Sequence, residues 1–412
     1  MTVNQDTLKN EIQNASDNVT VVIPTDKDIK TAEAVIVVKN VDDMAEKEIT
    51  LTIQTGNVQY DIPPASIDTA AIMEALGATD TANVQISIVI TAHETTPTYV
   101  QAAADKSGLV LVIPPVQFTI TAEYNGKTAE VTTFDQYVER TIEVTAEQAA
   151  NITTAVIIEP DGTTRHIPTY VYQKNGKWYV VVNSLTNSTY ALVHNERSFT
   201  DTAGKWYEAY VSEMANRMIM DDIGGSVFAG DRDITRAEFV AIVIRALGLP
   251  DNGSRSVFSD VPANMWYAGA VGKAYEYGLV SGVGGGRFDP DTPITRQEAM
   301  TAVRRAAQIA GFEGSAGNSI FPDTETVSEW ALDAVLWNIG SGLVGGTDGS
   351  LNPHVNITRA ETAVLVLKLL RKAGLVDDRT PISNGAPRAS HHTWRVEPRK
   401  EPEAVVEEDS TP

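Results

Sequence analysis

Hydrophobic and polar positions change their spacing once along this chain, near residue 196. Before it, short runs rich in Val, Ile and Thr recur between turn residues, which is the pattern of strands. Such runs are Val19 to Ile23, Ala34 to Val38, Ile49 to Ile53, Val84 to Ile90, Leu109 to Ile113, Phe118 to Ala122, Ala155 to Ile158, Thr169 to Tyr172 and Trp178 to Val182. Asn125-Gly126, Asp161-Gly162 and Asn175-Gly176 tolerate the positive φ of tight hairpin turns. One helical stretch, roughly Asp68 to Leu76, interrupts an otherwise nearly helix-free half. The pattern predicts all-β, sandwich-like modules at 1–132 and 133–195, with a boundary near Thr133 to Glu143. It does not fix the strand order.

After residue 196 the apolar positions fall at helical spacing, and one pattern occurs three times. Phe199-Thr-Asp201, Phe258-Ser-Asp260 and Phe321-Pro-Asp323 each precede a tryptophan, at Trp206, Trp266 and Trp330. A helical stretch and a Gly-rich segment follow, as in Gly278-Leu-Val-Ser-Gly282 and Gly342-Leu-Val-Gly-Gly346. Each unit closes with Ile234-Thr-Arg-Ala-Glu238, Ile294-Thr-Arg-Gln-Glu298 or Ile357-Thr-Arg-Ala-Glu361. Arg236, Arg296 and Arg359 are 60 and then 63 residues apart, so the units, 196–256, 257–318 and 319–376, are copies of one module. The tail at 377–412 carries Pro and charge without period, as in Val396-Glu-Pro-Arg-Lys-Glu-Pro-Glu, and is expected to be disordered.

In each closing motif Thr-x-x-Glu is a capping box, in which hydroxyl and carboxylate satisfy backbone N–H groups at a helix start. Thr235 with Glu238, Thr295 with Glu298 and Thr358 with Glu361 thus begin three helices, Arg236 to Leu247, Arg296 to Ala310 and Arg359 to Lys372. Caps alone are a sufficient reason for these residues. The arginine is less easily explained, because a cation in the first helical turn opposes the helix dipole. Either an internal carboxylate offsets it, from Asp201, Asp260, Asp323 or the capping Glu, or an external anion does. The tryptophans likewise admit two roles, a buried core plug, which is the commoner, or a platform for a sugar ring. Gly224-Gly225 and Gly284-Gly285 either let a ligand approach the backbone or merely turn the chain.

Composition narrows the partners. The net charge is −22, with 24 acidic and 11 basic residues in 1–195, 22 and 16 in 196–376, and 8 and 5 beyond. This excess of acid argues against a nucleic-acid partner, which needs a positive field over at least one face, and no apolar run is long enough to span a membrane, so no membrane insertion is expected. The absence of cysteine excludes disulfides and thiolate chemistry. The sequence from Met1 has neither the basic nor the apolar region of a signal peptide, so the chain is expected to be either intracellular or a fragment of a longer exported precursor.

These motifs, in this order and three times over, resemble those of S-layer homology domains. The resemblance covers about 175 residues. It implies an all-α trio packed as a pseudo-threefold prism after the β modules, on a Gram-positive cell surface, in the wall or S-layer. It also implies non-covalent anchoring to pyruvylated secondary cell-wall polysaccharide, with no cofactor and with other surface-layer subunits as further partners. Carried over, the ligand-binding residues are Asp201, Trp206 and Arg236; Asp260, Trp266, Gly284, Gly285 and Arg296; and Asp323, Trp330, Gly345, Gly346 and Arg359. The first unit departs from the pattern with Met218 for Gly278, Asp221-Asp222 for Ser281-Gly282 and Gly230 for Pro290. Two extra carboxylates would repel an anion, so the groove holding that turn is expected to be weak. The third unit departs less, with one residue fewer in its turn and Leu351 for Phe288. The stretch from Phe134 to Tyr190 also resembles the β-rich spacer that often precedes such domains.

Catalytic signatures are scarce. None of His93, His166, His194, His354, His391 and His392 falls in a zinc-protease spacing, and no nucleophile elbow occurs. Gly282-Val-Gly284-Gly-Gly-Arg287 ends in arginine and lies between helices, so it is no dinucleotide fingerprint. The expectation is therefore a non-enzymatic anchor. Two alternatives remain open: the anchor fragment of an extracellular polysaccharide-degrading enzyme, and a structural or adhesive lattice protein. Lattice assembly in calcium would support the second, although no Asp-rich loop here has the spacing of a metal site.

Overall fold

In the strand Gln85–Ala92 alternate residues Ile86, Ile88 and Ile90 are buried, and in Val116–Tyr124 so are Val116, Phe118, Ile120 and Ala122. Their antiparallel register sets Ile88 opposite Ile120 and Ile90 opposite Phe118, which gives the pair one apolar face. A computed structural model describes residues 5–24, 30–251, 256–318, 321–378 and 404–405. The chain divides into two compact units. One is 1–164 with 169–194 and 382–412; the other is 165–168 with 195–381.

The first unit is built on two sheets. One contains, in spatial order, Thr154–Ile158, Thr189–His194, Val116–Tyr124, Gln85–Ala92 and Thr31–Val37. The other contains Thr169–Lys174, Lys177–Thr186, Thr133–Val144, Val58–Ile62, Thr50–Thr55 and Thr20–Pro24. The two apolar faces meet where Tyr60 of one packs edge-on against Phe118 of the other, with ring centroids 4.9 Å apart. Arg140 is fully buried in that core. Its guanidinium lies 4.8 Å from the ring centroids of both Tyr60 and Tyr190 and donates to the carbonyls of Val138 and Thr186. Ring faces and carbonyls stand in for the water it has lost.

Two expectations for this half need correction. The boundary near 133 does not divide the sheets, because Thr133–Val144 pairs with Val58–Ile62 on one side and Lys177–Thr186 on the other. The half is also far from helix-free. Besides Thr69–Leu76, capped by Asp68, it has helices at Gln5–Asn14, Val38–Glu46, Thr98–Ser107 and Ala146–Asn151. Val38, Val41 and Met44 lie on one buried helical face, in a segment that follows a strand with no turn residue between. The hairpin dipeptides behave as expected, since Asn125, Gly126, Asn175 and Gly176 all have positive φ. Of the tail, 379–403 and 406–412 lie outside the described residues; Ala404–Val405 pairs with Thr20–Pro24 in parallel.

In the second unit each repeat supplies a lead helix and a capped helix. The lead helices are Glu208–Asn216, Ala268–Glu276 and Glu329–Gly340, and the capped ones Arg236–Ala246, Arg296–Ile309 and Arg359–Lys372. All three capping boxes form. Each capped helix packs on the lead helix of the next repeat, and the third on that of the first. The segments entering the capped helices are linked in the same cyclic way. Ile294 N donates to Ile234 O, Ile357 N to Ile294 O and Ile234 N to Ile357 O, at 3.0, 3.0 and 3.1 Å. No repeat can bury its helices alone, which is why the module comes as a set.

Candidate functional site

Each opening aspartate holds the turn that ends the Gly-rich segment of its own repeat. Asp201 accepts from the N–H groups of Phe228 and Ala229, Asp260 from Phe288 and Asp289, and Asp323 from Leu351 and Asn352, all near 2.8 Å. The second residue of each pair, Ala229, Asp289 or Asn352, has positive φ, so the carboxylate fixes a turn that is unfavourable by itself. Burial raises the Asp201 and Asp260 carboxyls, but the backbone N–H donors outweigh it and hold both below the ordinary value. At Asp323 the Leu351 N–H leads and the direction is the same. These aspartates do not pair with the arginines.

The arginines reach from one repeat into the next. Arg236 donates through Nε to Phe288 O at 2.8 Å and through Nη1 to Glu298 Oε1 at 2.7 Å. Arg296 repeats this one module later, with Leu351 O at 2.9 Å and Glu361 Oε1 at 2.5 Å. Of the internal partners open from the sequence, the capping glutamate of the following repeat is the one used. Glu298 and Glu361 are therefore more than caps: one oxygen closes the helix start and the other neutralises a buried guanidinium.

The third junction, from repeat three back to repeat one, breaks the rule. Arg359 donates through Nε to Phe228 O at 2.9 Å and through Nη2 to Asp221 O at 2.8 Å, and lies 4.7 Å over the Phe228 ring. Both acceptors are carbonyls, and among the described residues no carboxylate comes within 4.0 Å of it. Glu238, which the pattern would assign to it, binds Arg232 at 2.6 Å instead. Burial lowers the proton affinity of Arg359, Glu238 raises it and Arg232 lowers it again, for a net fall from the ordinary arginine value.

At this junction a groove of about 520 Å³ opens. Its walls include Asp221, Asp222 and Ile223 of the first turn, Arg232, Glu238 and Arg245 of the first repeat, Trp266 of the second and Arg359 of the third. Three guanidinium groups thus face three carboxylates, with the exposed Ile223 and Trp266 as apolar ground. Asp221 and Asp222 also accept backbone bonds within the turn, from the N–H groups of Asp222 and Gly224. The commoner expectation for the tryptophans is overturned, because Trp206, Trp266 and Trp330 are 65%, 60% and 59% exposed. The buried plug is the next residue in the first two repeats, Tyr207 and Tyr267.

Of the residues expected at a site, Trp266 and Arg359 meet in this groove, together with the cap residue Glu238. Trp206, Trp330, Arg236, Arg296, Asp201, Asp260 and Asp323 do not line it. Gly284 and Gly285 have positive φ and open space where a Cβ would go, as has Gly345 apart from the φ. Gly346 is different, since a Cβ there would stand 2.4 Å from the Phe321 ring; its counterpart Gly282 meets Phe258 in the same way. Arg232, Arg245 and Ile223 were not singled out from the sequence. Arg232 could have been, because a cation stands there where the other repeats have Thr292 and Val355.

The family model of the S-layer homology domain matches residues 198–240, 257–300 and 320–363. An amylopullulanase of Thermoanaerobacterium thermosulfurigenes is 31% identical over 198 residues, 47% of this chain and 11% of the relative. An exoglucanase of Acetivibrio thermocellus is 28% identical over 192 residues, 46% and 18% of the two chains. A surface-layer 125 kDa protein of Lysinibacillus sphaericus is 30% identical over 223 residues, 50% and 18%. The chain spans less than a fifth of the length of these relatives.

Proposed function

The chain carries three S-layer homology domains, and we propose that through them, arranged as a pseudo-threefold prism, it anchors itself non-covalently to pyruvylated secondary polysaccharide of a bacterial cell wall. The observation that carries this reading is the pairing of an exposed indole, Trp266, with a buried guanidinium that lacks a carboxylate, Arg359, in one groove. A pyruvyl ketal on a sugar offers the complement: a carboxylate for the guanidinium and a flat sugar face for the ring. The groove of Arg359 is thus the primary site. On this reading the expectation of a weak groove at this turn is set aside: Asp221 and Asp222 keep their charge, but together with Glu238 they are matched by Arg232, Arg245 and Arg359 on the same walls. Arg236 and Arg296 contribute after displacement of Glu298 and Glu361, and the remaining residues singled out for ligand binding shape those two grooves.

The chain itself catalyses nothing on this reading and acts at the cell surface, where its β unit packs with other surface subunits. A second reading has the relatives' names behind it: the same anchor fastening a polysaccharide-degrading enzyme, as in a longer protein of the amylopullulanase kind.

The test is co-sedimentation of the full chain with purified Gram-positive walls, intact or stripped of their secondary polymer. Arg359→Ala removes charged hydrogen bonds of about 1.5–3 kcal/mol and should weaken binding roughly ten- to a hundredfold. Stripping the polymer should abolish it. A folded Arg359→Ala protein that sediments like the wild type would overturn the reading.

A further inference from the structure

Three capping glutamates occupy equivalent places, and two of them receive the arginine of the preceding repeat. The third, Glu238, is held by a residue of its own repeat. That residue, Arg232, is fixed beside Arg359 by the backbone, for Arg359 N donates to Arg232 O at 2.9 Å. Arg236 N makes the same bond to Thr292 O and Arg296 N to Val355 O, so Arg232, Thr292 and Val355 are structural equivalents. Neither a threonine nor a valine carries the charge to draw a glutamate away from the arginine that enters from the neighbouring repeat.

We propose that Arg232 is a positioning residue that keeps the seat at Arg359 open for an external carboxylate by holding Glu238 aside. The inference rests on the reading of this groove as the wall-polymer site. Where the internal glutamate lies on the arginine, a ligand carboxylate must compete with a group covalently fixed nearby at high effective concentration. At Arg359 that competitor is engaged elsewhere: Glu238 gives one oxygen to Arg232 and the other to its capping bond from Thr235 N at 3.0 Å. Burial works against the charge on Glu238, but the bonds from Arg232 and Thr235 outweigh it and hold the carboxyl below its ordinary value. The glutamate therefore stays an anion that would turn to Arg359 if Arg232 were lost. The sequence difference Arg232 against Thr292 and Val355 thus selects one groove of three.

The experiment is titration of the full chain with pyruvylated polymer released from Gram-positive walls, followed by indole fluorescence, with thermal unfolding of every variant alongside. Arg232→Thr, which installs the residue of the second repeat, should weaken binding about tenfold, the loss of a single charged contact. Arg232→Lys should restore it, and so should the double change Arg232→Thr with Glu238→Gln, because the amide is no longer an anion to compete. If Arg359→Ala weakens binding roughly ten- to a hundredfold while Arg232→Thr leaves it unchanged, the site stands and the positioning role falls. If Arg359→Ala itself leaves binding unchanged, the site falls with it. A double variant that unfolds like the wild type yet binds as weakly as Arg232→Thr would mean that Arg232 meets the ligand directly, and would also overturn the proposal.

Discussion

Arg296 of the second repeat donates to Glu361 of the third at 2.5 Å, while the other oxygen of Glu361 accepts from Thr358 N at 3.0 Å. One carboxylate therefore joins two repeats and starts a helix. Removing its partner leaves a carboxylate only about a quarter exposed without a counter-charge, and Leu351 O without its donor. Arg296→Ala should lower the unfolding free energy of the helical unit by about 1.5–3 kcal/mol, read by urea denaturation of the full chain. Arg359→Ala should cost less, because no ion pair is broken there.

Met218 is a second consequence of the repeat. It adopts φ 62°, where Gly278 and Gly342 adopt 69° and 68° at the ends of the equivalent lead helices. Glycine enters this left-handed conformation freely, and a side chain resists it by roughly 1–2 kcal/mol. Met218→Gly should raise stability by about 0.5–1 kcal/mol once the greater freedom of glycine in the unfolded chain is subtracted. A shift of the urea midpoint upward at constant slope checks it.

Acid should release the turns. Asp201, Asp260 and Asp323 have carboxyls held below their ordinary value, so the unfolded chain binds protons more readily than the folded one. Their contribution is in full force above an unfolded pKa of about 3.9 and is lost as pH falls through the lower folded value. Below about pH 4 the helical unit should therefore lose stability steadily. Asp260→Asn should flatten that slope and lower stability at pH 7, as acid titration by circular dichroism would show.

The sequence carried the helical unit almost entirely. Its capping boxes, helix starts and three-part repeat are local signals, each within a window of four to sixty residues. The candidate site was only half legible, because its arginine–glutamate bonds are between repeats. That Arg236 meets Glu298 and Arg296 meets Glu361 depends on the cyclic order of packing, which no local window holds. The tryptophans were open for the same reason: spacing places Trp266 at a helix start, but whether a neighbouring repeat covers it is a tertiary fact. In the β unit short apolar runs gave the strands. The pairing of Thr133–Val144 with Val58–Ile62 spans some eighty residues and left no local trace.

Trp266 allows apolar and ionic contributions to be separated. The ring is 60% exposed, so its loss leaves the core intact, and Trp266→Ala should change stability by less than about 0.5 kcal/mol. Tyr267 beside it remains the buried plug. A ring that supports a sugar face is worth about 0.5–1.5 kcal/mol, so the same change should weaken polymer binding roughly two- to tenfold. The salt dependence separates the two terms. Attraction between Arg359 and a ligand carboxylate weakens as the screening length falls from about 10 Å at 0.1 M to about 3 Å at 1 M salt, whereas ring stacking does not. Titrations at both salts should therefore give Trp266→Ala the salt dependence of the wild type, and Arg359→Ala a much flatter one. If the tryptophan variant binds undiminished at both, the indole is no platform, and recognition in this groove rests on the guanidinium alone.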